Sequence, residues 1–337
     1  MNKRHFIFAC LFLFSFISLA RAEKRAFLVC VGEYAEGTGW NKISAINDRE
    51  LIKDNLSPSF IIESISNQDA TRSGMMSFLN SIANIVSQHD TVLLLFSCHG
   101  QQMLAVNDKN EPDGLDEAII PYDAYQEYSE SYHGENHLRD DDIANILRDI
   151  RNALGEDGLL LVLFDACHSD SMYKGGKSKR VIRGSSDIFG PAIDSTIADS
   201  LKRIKYAQDT VSIGHLPGAS EAIYISACRA SQRNKEVIID GVGYGSLSYA
   251  FMTSYMKYDG LKDISATLSY LQDWMKKNAQ QPAIHSSFKL DLSSTTASDS
   301  DLGNNSGIPN GALVIICVLA FILILCICLV FMKKRTH

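Results

Sequence analysis

The chain of 337 residues carries 46% hydrophobic and 21% charged residues and a formal net charge of -7 at pH 7. This composition is typical of a folded globular protein, and the length accommodates one large domain or two small ones. Because the mildly acidic chain has no basic block, no nucleic-acid partner is expected.

The first 22 residues predict a secretory signal peptide. Lys3 and Arg4 precede a short apolar stretch, and the small-x-small triplet ARA (20–22) follows it as a cleavage site. A retained membrane anchor is the alternative, although the apolar stretch is short for a span. The mature chain is therefore expected to begin near Glu23, outside the cytoplasm.

Short apolar runs then alternate with amphipathic stretches. The six runs are 25–31, 59–65, 91–97, 159–166, 222–228 and 286–292. Unbroken Val, Leu and Ile runs indicate strands that are covered on both faces, as in a parallel sheet. The stretches between them predict helices over 44–56, 72–88, 141–154, 244–258 and 263–278. This alternation predicts an α/β sandwich with a mostly parallel six-stranded sheet.

The C-terminal segment predicts a membrane anchor. A polar stalk (293–310) follows the folded domain (23–292), and the next 22 residues, 311–332, contain no charge and are long enough to cross a bilayer. The basic tail 333–337 favours the cytoplasmic side. A type I single-pass protein is expected, with its domain in a periplasm, at a cell surface or in a secretory lumen. A removable lipid-anchor signal is the alternative, but such signals end in apolar residues.

Four of the eight cysteines lie in the predicted domain: Cys30, Cys98, Cys167 and Cys228. An exported domain can oxidise such cysteines to disulfides. Each of them, however, lies in or at the end of an apolar run, where buried thiols are also found. Both readings stay open at this point.

Reactive residues follow two of the predicted strands, in "SCHGQQ" (97–102) and "DACHSD" (165–170). Ligands of open α/β sheets bind at the carboxyl ends of strands. If these two strands are neighbours, His99 lies beside Cys167, and an imidazole near a thiol produces a nucleophilic thiolate. Gly100 would leave its N–H free for an oxyanion. A structural pair of core residues is the alternative.

The strand period of two places further polar groups at this site. Asp165 shares a face with Cys167, and Ser97 shares a face with His99. Because a buried carboxylate needs a partner, this site is expected to receive a cation, which the substrate can supply. His168 is a competing imidazole, but next to Cys167 it fits better as a loop residue.

These blocks, taken in order, resemble the caspase–haemoglobinase class of cysteine peptidases, most closely the metacaspases. "SCHGQQ" and "DACHSD" are similar to the blocks that carry the histidine and the cysteine of that family. "NDREL", "DGLDEAIIPYDA", "LRDDDIANIL", "ISACRASQRNKE" and "GVGYGSLSYAF" resemble further family segments. The resemblance implies a three-layer α-β-α caspase-like sandwich. It divides the domain into a large-subunit-like part (about 25–171), a basic linker (172–213) and a small-subunit-like part (214–292).

The resemblance also implies roles for individual residues. Cys167 would be the nucleophile and His99 the base, with the N–H groups of Gly100 and Cys167 as the oxyanion hole. The pocket for the residue before the scissile bond would be lined by Asp48, Ser97 and Asp165. Two acids in that pocket imply that the enzyme cuts after Arg or Lys, whereas caspases proper, which cut after Asp, would need arginines there.

Calcium is the one cofactor that the resemblance implies. Metacaspases are commonly activated by calcium, and the matching positions here are Asp116, Asp140 and Asp141. Lys174 stands where the family has a further aspartate. The acids 140–142 also begin a predicted helix, where negative charge favours the helix dipole, and this is the alternative reading.

The basic linker predicts self-processing of a zymogen. Potential cut sites for a peptidase that prefers basic residues are Lys174, Lys177, Lys179, Arg180 and Arg183. A solvated basic loop is the alternative. Cys98 replaces a family glycine and should face away from the dyad by strand alternation. If it did not, a Cys98–Cys167 disulfide could switch the enzyme off.

The leading hypothesis is a monomeric, membrane-tethered cysteine endopeptidase that cuts protein or peptide substrates after Arg or Lys, with no cofactor other than calcium. One rival is an inactive caspase-like receptor or scaffold. Another is an Asn-preferring, legumain-like peptidase or transamidase.

Overall fold

The computed structural model describes residues 22–57, 59–105, 114–166, 181–185, 187–191, 213–229 and 232–292. Cys167, His168, Lys174, Lys177, Lys179 and Arg180 lie outside them, as do the predicted signal peptide up to residue 21, the stalk, the membrane span and the basic tail. Within the described ranges, no helix has the length and apolar character needed to cross a membrane.

Elements are numbered in chain order. The strands are β1 (Lys24–Cys30), β2 (Ile61–Ser66), β3 (Thr91–Ser97), β4 (Gly100–Leu104), β5 (Leu115–Ile119), β6 (Leu138–Arg139), β7 (Leu159–Asp165), β8 (Glu221–Ser226), β9 (Val237–Ile239), β10 (Val242–Tyr244) and β11 (Ala283–Ser286). The helices are α1 (Ala45–Leu56), α2 (Arg72–Ile85), α3 (Asp140–Leu154), α4 (Ser246–Lys257) and α5 (Ile264–Lys277). These five helices of the described ranges match the five predicted stretches.

A six-stranded sheet with the order β11-β8-β7-β3-β1-β2 forms the centre of the fold. All neighbouring strands are parallel except the edge pair β11–β8, which is antiparallel. The predicted mostly parallel sheet of six strands is therefore confirmed. The last run was placed wrongly, because β11 ends at Ser286 and the apolar residues Phe288, Leu290 and Leu292 instead pack against the core beside the sheet.

Strand alternation divides the core between the two faces of this sheet. Along β1, Phe27 and Val29 face one apolar cluster, whereas Ala26 and Leu28 face the other. Helices α2 and α3 cover the first face, and α1, α4 and α5 cover the second. The result is the expected three-layer α-β-α sandwich.

The sheet brings the described start of each reactive block, Ser97 and Asp165, to one edge. Strands β3 and β7 are neighbours, and their last residues, Ser97 and Asp165, lie opposite each other. Beyond β3 the chain enters a small antiparallel sheet, β4-β5-β6, in which β4 is an outer strand. The start of α4, directly after β10, supplies the remaining wall of the site.

Candidate active site

His99 follows β3 and is 3% exposed. Its Nε2 lies 2.9 Å from the carbonyl oxygen of Asn41, so this nitrogen carries the proton and donates it. Its Nδ1 is buried and has no hydrogen-bond partner among the described residues. The ring of Trp40 stacks on the imidazole, with centroids 4.8 Å apart, and the hydroxyl of Tyr34 accepts from the His99 backbone N–H at 2.8 Å. A fixed ring with one available acceptor nitrogen is the arrangement that a general base needs.

Burial controls the ionisation of this histidine. Desolvation lowers the pKa of His99 to about 4, and the bond to Asn41 opposes this only in part. The imidazole is therefore neutral near pH 7, and its Nδ1 can accept a proton.

A second buried histidine lies beside the site and gives a prediction about acid stability. His137 Nδ1 accepts from the Tyr132 hydroxyl at 3.0 Å, its Nε2 lies 3.2 Å from Gln101 Oε1, and burial lowers its pKa to about 4. Between pH 6.5 and pH 4 the unfolded chain binds more protons at such a histidine than the folded chain does. The free energy of unfolding therefore falls as the pH falls, and at pH 5 each such histidine has lowered it by about 2 kcal/mol relative to neutral pH. We expect His137→Gln to lose less stability than the wild type between pH 7 and pH 5 in urea titrations. Equal losses would contradict the assignment.

The predicted pocket residues Asp48, Ser97 and Asp165 are fully buried and lie together. They surround the guanidinium of Arg183, which is also fully buried. Its Nη1 is 2.8 Å from Asp48 Oδ2, 2.8 Å from Ser97 Oγ and 3.8 Å from Asp165 Oδ1. The cation expected at this site is thus present, and it belongs to the chain itself.

Glu236 is a further acid of this pocket that the sequence analysis missed. Its Oε1 accepts from Arg183 Nε at 3.2 Å and from Nη2 at 3.0 Å. The backbone N–H and the hydroxyl of Ser44, just before α1, bind the two oxygens of the same carboxylate at 2.6 and 2.9 Å. Glu236 therefore contacts the side of the guanidinium that faces away from Asp48.

The start of α4 holds both aspartates. The Gly245 N–H donates to Asp48 Oδ1 at 2.8 Å, and the N–H and hydroxyl of Ser248 donate to Asp165 Oδ2 at 2.8 and 2.7 Å. The first amides of a helix have no partner within the helix and lie at its positive end, so they stabilise carboxylates. A Cβ on Gly245 would lie 2.1 Å from Asp165 Oδ2, and for this reason the residue directly before α4 is glycine.

The charges of the pocket depend on one another. Burial raises the pKa of Asp48 to about 6, Arg183 acts to lower it, and Asp165 acts to raise it. Burial alone would lower the pKa of Arg183, but the carboxylates Asp48, Asp165 and Glu236 outweigh it, so the guanidinium stays charged. The carboxylates and the guanidinium therefore stabilise each other's charged forms.

The backbone around Arg183 runs through the site as an extended strand. The Arg183 N–H donates to the Asn234 carbonyl at 3.1 Å, and the Glu236 N–H donates to the Val181 carbonyl at 2.9 Å. On the other side of Arg183, Gly184 forms a parallel bridge with Gly100. A peptide substrate binds a protein edge in this way, with backbone hydrogen bonds for affinity and a pocket for one side chain.

Cys98 lies away from these groups, in the apolar cluster with Phe96 and Val29. Burial raises the pKa of its thiol to about 12, so it stays protonated, and it forms no disulfide. This packing agrees with the expectation that Cys98 faces away from the dyad, and it argues against a redox switch through Cys98.

The three aspartates matched to calcium are not arranged as a metal site. Asp116 forms an ion pair with Arg139. Asp140 and Asp141 help to line a cavity of about 300 Å³ beside α3, and burial raises the pKa of Asp140 to about 6, with Asp141 adding to this. Across the described part of the chain, no cluster of three or more His, Cys, Asp or Glu side chains could hold a metal ion. Arg139 contacts Oδ2 of Asp116, whereas Oδ1 of the same carboxylate is buried without a hydrogen-bond partner among the described residues. Calcium regulation through these residues stays a prediction.

Comparison with known proteins identifies the relatives of this architecture. The model of the caspase domain family, Peptidase_C14, matches residues 23–292. Metacaspase-1 of Mycosarcoma maydis is 26% identical over 245 residues, which is 66% of this chain and 58% of that protein. Metacaspase-1 of Schizosaccharomyces pombe is 24% identical over 256 residues, 68% of this chain and 57% of that protein. These alignments thus cover less than two thirds of the length of these relatives.

A solved structure shares the fold. Protein GSU0716 from Geobacter sulfurreducens superposes with a TM-score of 0.53 at 17% identity, over 80% of this chain and 95% of that one.

Proposed function

Since the chain belongs to the caspase-domain family and is a cysteine-type peptidase, we propose that it is an endopeptidase that cuts protein chains after arginine or lysine. The observation that carries this proposal is the burial of Arg183 among Asp48, Asp165 and Glu236, on an extended backbone. A pocket with three carboxylates favours a cationic side chain and repels the side chain of aspartate. The uncharged side chain of asparagine would leave these buried acids without a counterion.

The mechanism follows from the position of His99. Cys167 comes two residues after the end of β7, and β7 pairs with β3, the strand that leads to His99. The Nδ1 of His99 accepts the proton of the Cys167 thiol, and the thiolate attacks the backbone carbonyl carbon of the bound arginine. The N–H groups of Gly100 and Cys167 stabilise the oxyanion. His99 then protonates the leaving amine as the C–N bond breaks, and water hydrolyses the thioester.

Arg183 also supports self-processing of a zymogen. Its side chain contacts Asp48, Asp165 and Glu236, which supports the proposal that the Arg183–Gly184 bond is the bond that is cut. The chain is thus proposed to begin as an inhibited precursor whose own linker occupies the substrate site. Calcium activation stays a prediction and is not used in this proposal.

A panel of peptides tests this function. The full chain is offered peptides with Arg, Lys, Asn or Asp before the scissile bond, beside the variant Cys167→Ala. We expect cleavage after Arg and Lys by the wild type only, together with a self-cut after Arg183. No cleavage by either protein would favour the receptor or scaffold function, and cleavage after Asn would favour a legumain-like enzyme.

Glu236 leads to a prediction about selectivity. It contacts Nε and Nη2 of arginine, and lysine has no atoms equivalent to these, so Glu236→Gln should affect the two substrates differently. We expect kcat/KM for arginine peptides to fall about 10- to 100-fold, as for the loss of a charge-assisted hydrogen bond, with a much smaller change for lysine peptides. The exposed Glu130→Gln is the matched control. A parallel fall for both peptides would contradict this role.

We also propose that the peptidase domain lies outside the cytoplasm, on a type I membrane anchor. The signal-like segment 1–22 and the uncharged stretch 311–332 support this topology. In sealed vesicles whose cytoplasmic face is outward, added protease should remove an epitope tag fused to the basic tail and leave the domain protected. Digestion of the domain in such sealed vesicles would contradict the proposal.

A further inference from the structure

The chain on the other side of the Arg183–Gly184 bond is held by a second anchor, independent of the acidic pocket. The described residues 184–185 and 187–191, called the strap here, run alongside β4. The Ser185 N–H donates to the Gly100 carbonyl at 3.2 Å. Further along, the Phe189 N–H donates to the Gln102 carbonyl at 2.7 Å, and the Leu104 N–H donates to the Phe189 carbonyl at 2.9 Å. The strap therefore adds as a parallel strand to the outer edge of β4.

Phe189 is the side-chain anchor of the strap and is 3% exposed. It lies in an aromatic cage made by Tyr128, Tyr132 and His137, with ring centroids 5.8, 5.7 and 4.4 Å from the Phe189 ring. The two tyrosines meet the ring edge-on, a favourable aromatic geometry. Met103 on β4 belongs to the same apolar cluster.

The shape of the cage suits an aromatic ring at the position of Phe189. A Cβ on Gly134 would lie 2.8 Å from the Met103 methyl group and 2.9 Å from the Phe189 ring, so a larger residue would close it. The side chain of Gln101 ties the strap to the cage, because its amide donates to the Asp187 carbonyl at 3.0 Å while its oxygen faces His137 Nε2 at 3.2 Å. Gly184 pairs with Gly100 and Phe189 pairs with Met103. Between these two pairs the strap advances by five residues, whereas β4 advances by three.

The acidic pocket and the aromatic cage thus bind one extended segment on opposite sides of the Arg183–Gly184 peptide bond. The acidic pocket takes the residue before the bond, and the cage takes the residue six positions after Arg183. Backbone pairing with an exposed strand edge does not depend on side chains, so it accepts many sequences, whereas the cage selects one side chain. A site of this kind can recognise a substrate residue that lies several positions after the scissile bond.

We propose that the outer edge of β4 and the cage of Tyr128, Tyr132 and His137 form a binding site for the part of a protein substrate that follows the scissile bond. This site binds an extended segment with an aromatic or bulky apolar side chain six residues after the arginine. The inference rests on the proposed function, because it places the substrate chain across the same site. Phe189 is the occupant that belongs to the chain, and a substrate must displace it. Breaking the Arg183–Gly184 bond leaves the contacts of Phe189 in place, so the cage is emptied in a step that follows the cut.

A binding measurement tests the site without any cleavage. The probe is the fluorescein-labelled peptide GSSDIFGP, the sequence of residues 184–191, and its partner peptide has alanine in place of phenylalanine. The protein is the full chain with Phe189→Ala, which empties the cage, in a Cys167→Ala background. We expect fluorescence anisotropy to show at least tenfold tighter binding of the phenylalanine peptide, and little binding to the chain that retains Phe189. Equal binding of the two peptides, or no binding of either, would overturn the proposal.

Two controls keep this result decisive. Phe189→Leu fills the cage partly and should bind the peptide with intermediate affinity, and it replaces Phe189→Ala if that variant fails to unfold cooperatively. For catalysis, two long arginine substrates that differ only in Phe or Ala six residues after the cut are compared with the active chain. The phenylalanine substrate should have about a tenfold lower KM at similar kcat, and Tyr132→Leu should remove the difference. If neither substrate is cut, the proposed function fails, while the anisotropy result still decides the binding site.

Discussion

Replacing Arg183 with alanine should lower the free energy of unfolding by about 3–5 kcal/mol at neutral pH, the usual loss when one partner of a buried ion pair is removed. The variant leaves Asp48, Asp165 and Glu236 buried without their cation. It should also abolish the self-cut at this position, because alanine cannot fill the pocket. Urea unfolding and the intactness of the purified chain measure the two effects.

Arg183→Lys is the matched variant. It keeps a positive charge near Asp48 but loses the contacts to Glu236, so both stability and self-cleavage should be retained in part. An arginine derivative such as N-acetylarginine methylamide should raise the melting temperature of Arg183→Ala, since a ligand that binds only the folded state stabilises it. It should leave the wild type unchanged, because there the pocket is filled. A loss below about 1 kcal/mol, the range of a weak surface ion pair, would contradict the role of Arg183 as the counterion of this pocket.

Gly245→Ala should block the pocket while the domain stays folded. The added Cβ would lie 2.1 Å from Asp165 Oδ2 and 2.6 Å from Arg183 Nη1, so the carboxylate and a bound guanidinium cannot both keep their places. The backbone at this position, with φ -63° and ψ 135°, suits alanine, so no backbone strain is added. We expect kcat/KM for arginine peptides to fall by about 100-fold or more, as expected when a buried charge pair in a binding site is lost.

Gly214→Ala is the control for this variant, because a Cβ there meets nothing within 4 Å. It should cut arginine peptides at the wild-type rate. If Gly245→Ala did so as well, the binding of a substrate arginine beside Asp165 would be wrong.

The sequence was sufficient to predict the frame of this site. Long apolar runs predicted parallel strands, whose carboxyl ends predicted one shared edge for the two reactive blocks. The period of two along each strand then predicted that Ser97 and Asp165 would lie beside the dyad. The amphipathic pattern of α3 predicted its length closely, because Ile143, Ile146 and Leu147 all face the core. Local rules were enough for these features, since each depends on the repeat of a single element.

Contacts between distant segments could not be predicted in this way. Glu236 reaches Arg183 only because the start of α1, 192 residues earlier, provides Ser44 as its anchor. The pairing of Asp116 with Arg139 depends on the register of the small sheet, which the match of single aspartates to a metal site ignored. From the sequence, Arg183 was one of five equivalent predicted cut sites. Only the contacts of its side chain and backbone distinguish it from the other four.

The stacking of Trp40 on His99 gives the site a built-in optical reporter. A protonated imidazole quenches the fluorescence of an indole in contact with it, and these two rings are 4.8 Å apart. The second tryptophan of the chain, Trp274, packs against Tyr249 on another part of the fold and provides a steady background. The ultraviolet emission of the unlabelled protein should therefore dim as the acid–base group gains its proton, so that its titration can be followed in the absence of any substrate.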